Sequence, residues 1–91
     1  MVNCIVRQTV SDYAKWRPIY DADEVRRRAA GATGVNQVFR DVDDPNTVTV
    51  VLEWDNTQNA HKFINDPALA EVMKKAGVIG MPSVIAVTSH A

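Results

Sequence analysis

Tyr13, Trp16 and Tyr20 fall at i, i+3 and i+7, and the helical stripe they define runs on to Asp23. A carboxylate aimed from that stripe into an aromatic-walled cavity is desolvated, holds its proton more tightly and becomes a candidate general acid or base. The alternative for Asp23 is an exposed pair with Arg27 at i, i+4. His61 is the second titratable candidate, one residue after Ala60 and two before Phe63, where it would reach the rim of a pocket. Histidine is the natural proton shuttle near neutral pH, and the same position equally suits a surface histidine without a role. His90 stands beside the chain's end and is assigned none.

Trp16, Tyr20, Phe39, Trp54, Phe63 and Met81 are the side chains able to line an apolar pocket for a flat aromatic ligand, and core packing accounts for each of them as well. Arg40 and Glu53 are expected on neighbouring strands, on the sheet face turned away from the helices, as a cross-strand or intersubunit pair. No metal site is expected, because the two histidines lie on different elements and Cys4 is the single cysteine. Cys4 sits in an apolar run and reads as a buried thiol in a reducing cytoplasm. There is no glycine-rich phosphate loop and no Ser/His/Asp arrangement, so no phosphate or acyl-transfer chemistry and no cofactor is called for.

Composition narrows the partners. Ten basic residues against eleven acidic ones leave a net charge of −1, and the only basic cluster is Arg26-Arg27-Arg28, which argues against nucleic acid. No run approaches the roughly 18 apolar residues of a membrane span, and the N-terminus lacks the layout of a signal peptide, so a cytoplasmic location is expected. Ninety-one residues make one domain (1–91), and a chain of that size hides only about 60–65% of its unfolded surface, which leaves a marginal core.

These residues need elements to position them. Val2 to Val10 alternates as a strand, with Val2, Cys4, Val6 and Val10 in one phase. Ser11 is placed to cap the aromatic helix, which Pro18 should kink or restart and Gly31 to Gly34 should end. Val35 to Asp41 and Thr47 to Trp54 form a hairpin across Asp43-Asp44-Pro45-Asn46. Asp55 with Gln58 opens a second helix, Asp66-Pro67 starts its continuation, and Gly77 stops it. Gly80-Met81-Pro82 then turns the chain into a last strand from Val84 to Thr88.

The order β, α, β, β, α, β with right-handed crossovers gives an α+β, ferredoxin-like fold: a four-stranded antiparallel sheet with helices on one face. With Val48, Val50, Leu52 and Trp54 inward, the opposite face receives Thr49, Val51 and Glu53 together with Ile5, Val38, Ile85 and Val87. That is too apolar for a face bathed in water, and a homodimer closed through the sheet face is expected.

The run VTVVLEW, then NDPALAEVMKKAG and VIGMP, with DYAKW and FRDVDDPNTV upstream, resembles the dimeric α/β-barrel superfamily over essentially the whole chain. More narrowly it is similar to small antibiotic-biosynthesis monooxygenases and polyketide cyclase-like proteins. The resemblance implies a pocket between the sheet and the two helical segments, lined in part by Trp54, and a cofactor-independent monooxygenase or cyclase/isomerase acting on a small aromatic or polyketide-like molecule. Such an enzyme would use Asp23 or His61 to move a proton and Tyr20 to stabilise the enolate. The readings that stand beside it are a non-catalytic small-molecule-binding module and a plain dimerisation domain, since fold alone assigns no reaction.

Overall fold

Alternation along Val2–Val10 produces strand β1, whose inward row Cys4, Val6, Gln8 and Val10 is buried while Arg7 and Thr9 point outward. Strand β3 (Thr47–Trp54) keeps the same period, with Val48, Val50, Leu52 and Trp54 inward, and lies antiparallel to β1 with Cys4 opposite Leu52 and Val6 opposite Val50. The computed structural model describes residues 1–89, and His90 lies outside them. Strands β2 (Ala32–Arg40) and β4 (Val78–Thr88) complete an all-antiparallel sheet in the order β2-β3-β1-β4. Helices α1 (Tyr13–Ala22), α2 (Glu24–Ala29), α3 (Thr57–Asn65) and α4 (Pro67–Lys75) cover one face. The fold is the expected ferredoxin-like βαββαβ, with each helical connection broken in two.

Pro18 does not break the first connection. It lies inside α1, and both it and Ala14, whose carbonyl loses an N–H partner to the proline ring, are on the exposed side, where water can take the bond. The break falls at Asp23, which ends α1 with its N–H shared between Ile19 and Tyr20 carbonyls and opens α2. Capping also moves by one residue from expectation at two helices. Asp12, not Ser11, caps α1 by accepting from the Ala14 N–H at 2.9 Å, and Asn56, not Asp55, caps α3 by accepting from Asn59 at 2.8 Å. Asp66-Pro67 opens α4 as read, with the Asp66 carboxylate accepting from Ala68 N–H at 2.9 Å.

Two strands depart from the sequence reading. The β2–β3 register shifts by two residues between Ala32 and Asn36, around Gly34 at φ +95°, so the even-numbered residues of β2 face the helices on both sides of the shift. Val38 therefore pairs with Val50 and faces the helices, while Phe39, opposite Thr49, takes the outward place. Arg40 turns inward with it, its guanidinium 3.9 Å from the Tyr13 ring centroid, so it makes no pair with Glu53, which instead accepts from Thr33 Oγ1 at 2.8 Å. The last strand begins at Val78 rather than Val84. Ile79 pairs with Thr9 and Ser83 with Arg7, so Gly80, Met81 and Pro82 bulge out opposite the single residue Gln8, with Gly80 at φ +70°. A proline is tolerated there because β4 is an edge strand.

Ile5, Val51 and Ile85 line up across β1, β3 and β4 on the uncovered face, joined by Phe39 at 50% and Val87 at 38% exposure.

Candidate functional site

The aromatic stripe of α1 becomes a continuous stack. Trp16 and Tyr20 lie 4.8 Å apart at 16°, Tyr13 is 5.7 Å from Trp16, and cations close both ends: Arg27 at 4.1 Å from the Tyr20 ring and Arg40 at 3.9 Å from Tyr13. Beneath Trp16 and Tyr20, between them, the sheet and α4, is a cavity of about 40 Å³. Phe63, Leu69 and Met73 contribute to its apolar wall, and Gln8, Asp23 and Arg27 are its charged or amide-bearing members. The space holds a water or two, whereas a cavity of roughly 150 Å³ accepts a benzene ring. A ring-sized ligand thus requires a wall to move, and the joint at Asp23 between α1 and α2 is the wall's discontinuity.

Arg27 is 5% exposed, and its Nη1 donates to the Tyr20 carbonyl oxygen at 3.0 Å and lies 3.8 Å from Asp23 Oδ2. Among the described residues this is the guanidinium's one hydrogen bond, and the Tyr20 ring face supplies the rest of its compensation. Tyr20 donates its own hydroxyl to Asn36 Oδ1 at 3.2 Å. Burial pushes the Tyr20 phenol above its ordinary range, against the opposing pull of Arg27 and Arg17, so at neutral pH it is a donor and not a base.

Asp23 does reach the cavity, but both its oxygens are engaged: Arg26 donates from Nε to Oδ1 and from Nη2 to Oδ2, each at 2.9 Å. The same Arg26 reaches Asp66 Oδ2 at 3.3 Å and so ties the α1–α2 joint to the cap of α4. The expected Asp23–Arg27 pairing is present only as the longer second contact, and on a buried rather than exposed arginine.

Of the side chains singled out in the sequence, Trp16, Tyr20, Asp23 and Phe63 converge on this cavity. The others do not. Trp54 is fully buried behind Phe63, ring centroids 4.7 Å apart, where it is core rather than lining. His61 is exposed on the outer side of α3 beside Lys62 and Asn65, because one step from inward Ala60 rotates it about 100° off the buried stripe. Phe39, opposite outward Thr49, is on the open face, and Met81 is 97% exposed at the tip of the β4 bulge. Gln8 and Arg27 are the residues that the sequence reading passed over. Position 8 stands in phase with Val6 and Val10, so an amide on a buried row was visible in the alternation itself.

Cys4 is sealed beneath α3, its Sγ 3.8 Å from the Ala60 carbonyl oxygen, and burial pushes its thiol up to about 11. Among the described residues no three His, Cys, Asp or Glu side chains gather as a metal site, and no helix is long and apolar enough to cross a membrane.

A four-stranded antiparallel sheet, covered on one face by two broken helices over an aromatic cavity, defines this chain as a ferredoxin-like α+β protein. Among solved structures it is similar to SnoaB, a cofactor-independent oxygenase from Streptomyces nogalater, with a TM-score of 0.75 at 14% identity over 99% of this chain and 93% of that one. An antibiotic biosynthesis monooxygenase matches with a TM-score of 0.71 at 14% identity over the full length of both chains. Rv0793 from Mycobacterium tuberculosis matches at 0.71 and 13% identity over 99% and 95%. No family model matches the chain, and no curated protein does.

Proposed function

We propose that this chain is a single-domain, cofactor-independent enzyme of the monooxygenase or cyclase type, acting in the cytoplasm on a small aromatic or polyketide-like molecule. The observation that carries the reading is the cavity walled by stacked Trp16 and Tyr20 with a buried arginine at its edge, on a fold shared end to end with a cofactor-independent oxygenase. The flat walls take the ring by stacking. Arg27, with N–H groups to spare, holds the oxyanion of an enolised or phenolic substrate in a site of low dielectric, and that stabilisation favours the electron-rich form which reacts with dioxygen. In such an oxygenation a ring methylene becomes a carbonyl, one oxygen atom is retained and the other leaves as water with the two hydrogens. Asp23 is the carboxylate placed to take the substrate proton, and it does so only after Arg26 releases one of its oxygens.

The open sheet face, with Ile85 and Phe39 exposed beside half-buried Ile5 and Val51, is proposed to close against a second copy. A non-catalytic binding or dimerisation module is the second reading, and one observation favours it: neither oxygen of Asp23 is free.

The test is oxygen uptake with an anthrone substrate, with no added metal or flavin. Uptake well above the uncatalysed rate is expected, falling about 100-fold in Arg27→Gln if the buried cation holds the oxyanion. Saturable binding without oxygen uptake replaces the enzyme reading with the binding module.

A further inference from the structure

Gln8 is anomalous in its row. The inward positions of β1 are Val2, Cys4, Val6 and Val10, and a primary amide stands among them with 7% of its surface exposed. Its Oε1 is buried and meets no donor among the described residues, though the residue lines the cavity. An unpaired buried acceptor destabilises a fold, and an apolar side chain of the same shape would remove the penalty. The strand around it is also specialised: the three-residue bulge of β4 lies directly opposite Gln8, so the ladder is interrupted on that side while Gln8 keeps its place opposite Val48 of β3. Arg27, on the same wall, is the complementary case, a cluster of donors of which one is satisfied.

We infer that Gln8 is the specificity-determining residue of this cavity and that, with Arg27, it selects a hydroxylated ring. The ligand presents an O–H that donates to Gln8 Oε1 and an oxygen that accepts from Arg27. Dihydric phenols and their enolic equivalents carry both, while fully O-alkylated rings of the same skeleton lack the donor and leave Oε1 unpaired. Discrimination against a missing hydroxyl is strong where a site is built to hydrogen-bond it, because the buried polar partner is then abandoned. This inference rests on the cavity being a small-molecule site.

Calorimetric titration of the intact chain with catechol and with its dimethyl ether, veratrole, separates the two levels. Wild type is expected to bind catechol at least about tenfold more tightly than veratrole. In Gln8→Met that ratio collapses to within about twofold, and the bulk of the methyl groups, common to both proteins, cancels. Thermal melting of unliganded Gln8→Met should be equal to or above that of wild type, because an unpaired acceptor is gone. Equal binding of the two probes by wild type overturns the role of Gln8 and leaves the small-molecule site standing. Binding of neither probe more tightly than about 10 mM overturns both. A ratio that survives in Gln8→Met, or a variant that melts well below wild type, assigns Gln8 to structure or to a resident water only and also overturns the inference.

Discussion

The two faces of one sheet have been given different work. On the covered face, every inward position of β3 is sealed, Trp54 and Val48 completely, and the cavity beneath Trp16 and Tyr20 collects Gln8, Asp23 and Arg27. On the uncovered face, Ile5, Val51 and Ile85 form an equally apolar row with nothing over it and no buried polar group among them. The strands supply similar side chains to both sides, so hydrophobicity alone does not tell a site from an interface. A polar group buried without a partner on a cavity-lining residue marks the first, as at Gln8, while the equally unpartnered Nε1 of Trp54 belongs to closed core; apolar residues left in water mark the proposed second.

Substitutions on each side can break or sharpen this contrast. The largest effect is expected from Trp54→Ala, which empties a fully buried site and should lower unfolding free energy by about 3–5 kcal/mol in a denaturant titration. A loss similar to that of Phe39→Ala would mean that the two faces are energetically alike. Next is Ile85→Asp at the centre of the open face. It should leave each protomer folded by circular dichroism while raising the dissociation constant of the proposed dimer on the order of 100-fold, as read by light scattering across a concentration series. A wild-type chain that is monomeric at micromolar concentration would remove the interface altogether.

The smallest effect is in the response to base. The Cys4 thiol is raised from 9.0 to about 11 by burial, so the folded chain holds a proton that the unfolded chain gives up earlier. The resulting stability is complete below pH 9 and is lost as pH climbs through about 11. Melting temperature should fall more steeply over that window in wild type than in Cys4→Ala, and parallel curves would show the thiol to be indifferent to burial.

The elements with an unbroken period were legible in the sequence. Val48, Val50, Leu52 and Trp54 alternate without interruption, and β3 and its partner β1 appear in the expected phase. β2 was not legible to the same degree, because Val35 and Val38 are three apart and fall in opposite phases, so no apolar alternation tells which of Val38 and Phe39 faces inward. The aromatic stripe of α1 was readable from its spacing, whereas the break at Asp23 was not, since Pro18 advertises a kink that its exposed position makes harmless. The cavity was half legible. Trp16, Tyr20 and Phe63 follow from helical periodicity, but the burial of Arg27 depends on the Tyr20 ring and carbonyl that receive it, a contact between neighbouring helices that no spacing rule specifies.

The bulge in β4 limits how these molecules can associate. Pro82 has no N–H to offer and Gly80–Pro82 leaves the pleat, so an incoming strand cannot extend the ladder along that margin. The proposed pairing through the greasy face ends at two copies, while growth sideways, the route to fibres, is opposed on this edge by three residues.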